Sequence, residues 1–182
     1  MGSAGDQEKV ALPEKGPILA LDYGEKRIGV SISDPDQRFA FPLKTIENHP
    51  DQVIQDIVEL ISRHKVVAVV IGLPIREDGT KGPEVALVED FAKVLRERIG
   101  VPILFFDERY TTRIAQRAHQ DYLPKRRSVN TIDALAAAIL LEGFLEWSRQ
   151  RAREERGRGE SDGTMGVAGD GGESDNVHSG SL

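Results

Sequence analysis

Three carboxylates stand against strongly apolar elements. Asp22 ends the run Ile18-Leu19-Ala20-Leu21, Glu108 closely follows Ile103-Leu104-Phe105-Phe106, and Asp133 lies in the first turn of an Ala/Leu-rich helical stretch. A solvated surface charge is least expected in such places. If the three converge, they could hold two divalent metals and cut a phosphodiester. Each also has an ordinary explanation. Asp22 precedes Tyr23-Gly24 and could simply initiate a turn. Glu108 could be a polar strand exit. Asp133 could sit where it does because an acid in a helix's first turn interacts favourably with the macrodipole.

The segment between the second and third acids is basic. From Arg109 to Arg127 there are six bases (Arg109, Arg113, Arg117, Lys125, Arg126 and Arg127) against the single acid Asp121, a local charge of +5. Arg109, Arg113 and Arg117 are four apart and share one face if a helix extends back to Arg109. Such a row reads equally as a solvated face or as a phosphate track. Lys81, in the Gly/Pro-rich stretch from Gly72 to Pro83, could touch phosphate or be solvated. That stretch is long for a strand–helix link and could form a mobile lip. It lacks the Gly-Lys-Ser/Thr ending of a phosphate-binding P-loop.

Composition removes several classes. The chain has no cysteine, so a disulfide framework, a thiol nucleophile and a cysteine-ligated zinc site are all excluded. His49, His64, His119 and His178 show no ligand spacing, and no Gly-x-Ser-x-Gly elbow occurs. The net charge of −6 argues mildly against a nucleic-acid partner, but the local +5 segment and metal-neutralised acids would offset it. No apolar stretch approaches the roughly 18–20 residues of a membrane span. The N-terminus lacks the basic start and apolar core of a signal peptide. A cytoplasmic protein with no membrane contact is expected.

The 182 residues suit one domain with tails. Residues 1–16 read as a loose leader, 17–147 carry nearly all the apolar periodicity, and 148–182 turn polar, with disorder expected past about residue 156. Within the core, strands are expected over 18–23, 27–33, 39–46, 66–72 and 101–106. Pro42 marks the third strand as an edge or an irregularity. Helical spacing covers 51–64, 83–99, 111–120 and 131–147. In the last helix the stripe Ile132, Leu135, Ala136, Ile139, Leu140, Phe144 and Trp147 is the expected core face, with Asp133 at its edge. The order βββαβαβαα implies an α/β fold: a three-strand antiparallel meander plus two parallel strands in one mixed five-stranded sheet, flanked by helices. A ribonuclease H-like architecture fits this order better than a doubly wound sheet, which alternates β and α from the start.

Four blocks in order then resemble a known family. Leu-Asp-Tyr-Gly-x-Lys-Arg-Ile-Gly-Val-Ser-Ile-Ser-Asp (21–34), Gly-Leu-Pro-x-x-x-Asp-Gly-Thr-x-Gly-Pro (72–83), Asp-Glu-Arg-Tyr-Thr-Thr (107–112) and Asp-Ala-Leu-Ala-Ala-Ala-Ile-Leu-Leu (133–141) are similar to those of the YqgF/RuvX family. These are bacterial ribonuclease H-like Holliday-junction resolvases, also assigned to maturation of the small-subunit ribosomal RNA precursor. The resemblance covers residues 17–147 and implies an acidic triad at Asp22, Glu108 and Asp133, which would be both catalytic and metal-ligating.

The resulting expectation is a nuclease acting on structured RNA, such as precursor 16S rRNA, or on branched DNA. Asp22 would bridge two Mg²⁺ or Mn²⁺ ions, and Glu108 and Asp133 would each complete one site. Hard oxygen ligands favour Mg²⁺ or Mn²⁺ over Zn²⁺. Symmetric junction cleavage would suggest a homodimer. A second reading is a non-catalytic ribosome-assembly factor that binds nucleic acid with the same fold. A third is a phosphotransferase, because Asp-x-Gly after a first strand also resembles the phosphate loop of actin-like ATPases. Those need two such domains, which a chain of this size cannot supply.

Overall fold

The computed structural model describes the backbone of residues 12–111 and 129–161, and side chains within those limits. The chain divides into two compact units, Met1–Arg149 and Gln150–Leu182. The first unit carries β1 (Ile18–Tyr23), β2 (Arg27–Ser33), β3 (Ala40–Glu47), α1 (Val53–His64), β4 (Ala68–Leu73), α2 (Pro83–Arg96) and β5 (Ile103–Asp107). A short 3₁₀ turn, Glu108–Thr111, follows β5, and α3 runs over Val129–Ser161. The expected helix over 111–120 lies outside the described residues beyond Thr111.

One five-stranded sheet is formed in the order β3-β2-β1-β4-β5. β1, β2 and β3 pair antiparallel, while β4 and β5 join β1 through parallel pairings. The meander-plus-parallel arrangement is the one the element order implies. β1 and β2 have the expected bounds. β3 is an edge strand, and its register slips where Pro42 lies opposite Ser31, because proline cannot donate to the ladder. β4 is buried at all six positions, as its unbroken apolar run requires.

Alternation of side chains divides the sheet into two faces. Leu19, Leu21, Ile28, Val30, Val69 and Ile71 point to one face, where α1 supplies Val53, Ile57 and Leu60 and α2 supplies Val85, Val88 and Leu95. Ile18, Ala20, Ala68, Val70 and Phe106 point to the other, where α3 supplies Leu140, Leu141, Phe144 and Leu145. Phe106 meets Phe144 edge to face, with ring centroids 5.7 Å apart.

The buried face of α3 differs from the expected stripe. Ala134, Ala137, Ala138, Leu141 and Leu145 are buried with Leu140 and Phe144, whereas Ile132 is 53% exposed. Size explains the rotation. Under the first turns of α3 the sheet presents Gly29, Ser31 and Ala20, and a Cβ added at Gly29 would collide with the Asp133 carbonyl. The Ser31 hydroxyl donates to the Ala137 carbonyl at 2.7 Å. An approach this close admits alanine and rejects isoleucine. α3 also passes the expected end at Trp147 and continues to Ser161, through a segment of strong helix formers such as Gln150, Arg151, Ala152 and Glu154.

The link after β4 is a small hairpin. Ile75 bridges Lys81, the Arg76 N–H donates to the Thr80 carbonyl, and Asp78 Oδ1 accepts from both the N–H and the hydroxyl of Thr80. Gly79 supplies the positive φ, +82°, that closes the tip. The expected lip is therefore hydrogen-bonded along its length.

Candidate nuclease site

The acids emerge on the α3 side of the sheet, at one end. Asp22 follows Ala20 by two residues on β1, so it shares that face. It pairs in register with Gly29 of β2. The absent side chain at Gly29 is what lets the Asp133 backbone lie over the strand. On the other side of β1, the β1–β4 register brings Ile71 opposite Leu21, so Gly72 follows beside Asp22. A Cβ at Gly72 would stand 2.6 Å from Glu108 Oε1, which places the Glu108 carboxylate over that glycine. Two glycines on the strands flanking β1 thus make room for the second and third acids.

Electrostatics ties the three together through Asp22. Burial, and then the charge of Asp133, raise the Asp22 pKa above its ordinary 3.8. Burial, followed by the charges of Asp22 and Asp107, pushes Glu108 from 4.5 up to about 7. Asp133 is bound otherwise: Oδ2 accepts from Arg27 Nε at 2.7 Å. Among the described residues, no group of three or more metal-ligating side chains is gathered closely enough to hold an ion. The donor set nevertheless suits a hard divalent cation. It is all carboxylate oxygen, and Asp22 and Glu108 are disfavoured as anions by burial and by neighbouring negative charge.

Asp107 and Glu108 diverge, as alternation at a strand end requires. Asp107 turns to Arg109, accepting its backbone N–H and its guanidinium, with Nη2 2.6 Å from Oδ2. Arg109 holds the Asp107 carboxyl below the usual range, against a burial penalty acting in the other direction. Lys81 Nζ lies 2.9 Å from Glu89 Oε1 at the surface. Both described members of the basic set are therefore engaged with carboxylates. Arg113, Arg117, Lys125, Arg126 and Arg127 lie outside the described residues. The residue that sequence reasoning left without a role is Arg27. It reads as an ordinary strand start, and its partner is 106 positions away.

Comparison with known proteins bears on this site. A model of the RuvX family, described as Holliday junction resolvase, matches residues 16–147. A protein of Roseiflexus sp. (strain RS-1) named "Putative pre-16S rRNA nuclease" is 43% identical over 139 residues, covering 75% of this chain and 98% of the relative. One of the same name from Desulfitobacterium hafniense (strain DSM 10664 / DCB-2) is 34% identical over 135 residues, covering 74% and 94%. Among solved structures, T. thermophilus RuvC in complex with Holliday junction substrate superposes with a TM-score of 0.52 at 13% identity, covering 73% of this chain and 96% of that one. At that identity the likeness establishes the ribonuclease H-like fold. No described helix is long and apolar enough to cross a membrane. With the family match spanning the whole sheet and all three acids, the chain belongs to the RuvX family of nucleases.

Proposed function

We propose that this protein is a metal-dependent endonuclease that hydrolyses phosphodiesters in structured nucleic acid, at a site formed by Asp22, Glu108 and Asp133. The observation that carries the reading is the electrostatic coupling of Glu108 and Asp133 to Asp22 at one end of the sheet. Asp22 and Glu108, both raised by burial and by a neighbouring acid, have a use for a cation that a lone surface acid does not. Bound by these side chains, Mg²⁺ or Mn²⁺ would lower the pKa of an attacking water and stabilise the leaving 3′ oxygen. The three carboxylates would bind and orient the ions. Basic side chains beside Glu108 and before Asp133, among them Arg113, Arg117 and the Lys125-Arg126-Arg127 cluster, would position the phosphate backbone without reading sequence.

The names of the relatives support a reading of the substrate. Proteins named for precursor 16S rRNA and a family described by junction resolution support 5′-end maturation of small-subunit rRNA, Holliday junction cleavage, or both. The test is a side-by-side cleavage assay of precursor 16S rRNA and a four-way DNA junction, with Mg²⁺, Mn²⁺ and chelator. Cleavage of at least one substrate is expected, lost on chelation and in Asp22→Asn. Full metal-dependent cleavage by an Asp22→Ala/Glu108→Ala double variant would sink the proposal.

A specific observation favours a second reading, a nucleic-acid-binding ribosome-assembly factor without turnover. Asp133 is occupied by Arg27, and the acids are not gathered into a closed ligand set. Under that reading, triad variants inert in cleavage still complement a deletion strain. In a nuclease they do not.

A further inference from the structure

Two arginines border the acidic cluster, and they are held differently. Arg109 is forked on Asp107: Nε lies 3.1 Å from Oδ1 and 2.9 Å from Oδ2, Nη2 lies 2.6 Å from Oδ2, and the backbone N–H adds a further bond to Oδ1. Such a fork is geometrically locked. Arg27 reaches Asp133 through Nε alone, at 2.7 Å from Oδ2, and its side chain is 37% exposed. A single contact by a partly exposed pair is worth at most about 1 kcal/mol, which a divalent ion can overcome.

The two partners are anchored so that only the tip of Arg27 needs to move. Arg27 opens β2, and its backbone is in register with Glu47 of β3. Two residues on, Gly29 lies beneath the Asp133 carbonyl and opposite Asp22. The strand and the helix end are thus fixed against each other by backbone contact. The guanidinium occupies Asp133 Oδ2, an oxygen that a bound cation would need.

We propose that Arg27 is a latch on the third carboxylate. It neutralises Asp133 while no divalent ion is bound, yields Oδ2 when one arrives, and then turns its freed guanidinium to a phosphate of the nucleic acid. The inference rests on the proposed metal-dependent function and names a positioning residue for it. In the resting state the latch neutralises the acid whose charge acts on Asp22. In the loaded state the planar guanidinium suits a phosphate better than the compact ammonium of lysine does. Release of the arginine is thereby coupled to completion of the site.

The experiment measures Mn²⁺ binding to the full chain, by calorimetry and by thermal shift, without nucleic acid. Arg27→Gln is expected to bind Mn²⁺ about two- to fivefold more tightly than wild type, the size of the ion pair it removes. The gain should vanish in a double-mutant cycle with Asp133→Asn. Binding of a fluorescent four-way junction supplies the second arm, with Ca²⁺ as an oxygen-seeking ion. Arg27→Gln should weaken junction binding in Ca²⁺ and leave it unchanged in chelator, with Arg27→Lys intermediate. If Mn²⁺ affinity is unchanged or weaker in Arg27→Gln, or if the junction effect is equal in chelator, the latch is wrong and Arg27 is a structural clamp. If Arg27→Gln folds poorly, Arg27→Lys carries the same test. If wild type shows no Mn²⁺ binding, or binding that Asp22→Asn leaves intact, the metal-dependent function fails rather than the latch alone.

Discussion

The Glu108 carboxylate lies over Gly72, 2.6 Å from where a Cβ on that residue would stand. The glycine is therefore part of the acid's seat. Gly72→Ala would push the Glu108 carboxylate and press on the buried Leu140 side chain, but would meet no backbone, so the fold should survive with a loss of about 1–2 kcal/mol. The site should not. A misplacement of about 1 Å can cost on the order of 100-fold in rate. Thermal melting and cleavage measured on the same variant check the split, and a variant with near-normal cleavage would show that Glu108 is not held by Gly72.

Gly29→Ala makes the opposite kind of collision. The new methyl would meet the Asp133 carbonyl, which belongs to the backbone of α3 and cannot rotate away. The helix starts at Val129, so Asp133 lies beyond the first turn expected for it, and the segment around Asp133 must lift. We expect a stability loss of about 1–3 kcal/mol, as for other overpacked sites, together with lost cleavage. Denaturant unfolding with an unchanged slope reads the first effect.

The acids also predict a pH dependence with a definite sign. Glu108 titrates at about 7 in the folded protein and at about 4.5 ordinarily, so the folded state holds its proton more tightly. Its contribution is fully present below 4.5 and is lost as pH rises through 7. Asp22, also raised, acts in the same direction. Metal-free protein should therefore lose stability between pH 5 and pH 8, and Glu108→Gln should flatten that loss. Mn²⁺ should stabilise wild type more at pH 8 than at pH 5, because its ligands must be deprotonated. Melting curves at the two pH values, with chelator and with Mn²⁺, measure all three effects.

Away from the site, α1 ends on a strained residue. Lys65 adopts φ +53°, and its N–H and that of Val66 close onto the Ser62 and Ile61 carbonyls in a Schellman-type cap. Glycine takes this conformation without the penalty a side chain incurs. Lys65→Gly should stabilise the protein by about 0.5–1 kcal/mol with no change in cleavage. A shift of the denaturation midpoint upward reports it.

What was legible in the sequence follows from what kind of signal each feature leaves. β1 and β2 are legible because apolar runs and turn residues bound them locally, and Pro42 announces the edge strand. The face of α3 was misread because periodicity registers hydrophobicity and not size. Ile132 is apolar, yet only alanines fit above Gly29 and Ser31. The hairpin within the Gly72–Pro83 link is not legible in the sequence, because its bridge from Ile75 to Lys81 involves backbone rather than any side-chain pattern. The acids were legible as candidates through the blocks that contain them. Arg27 was not, since its partner is 106 residues away and nothing local marks the pairing.

That same separation makes the proposed site depend on a long-range closure. A nascent chain that has laid down β1, β2 and β3 already contains Asp22 and Arg27, and once β5 emerges it contains Glu108. The third carboxylate arrives only with α3, whose docking closes a loop of more than one hundred residues onto β2. Until then the proposed ligand set is two acids and an arginine with no counterion from Asp133. A chain in which α3 is not yet seated would thus lack the third member of the proposed ligand set.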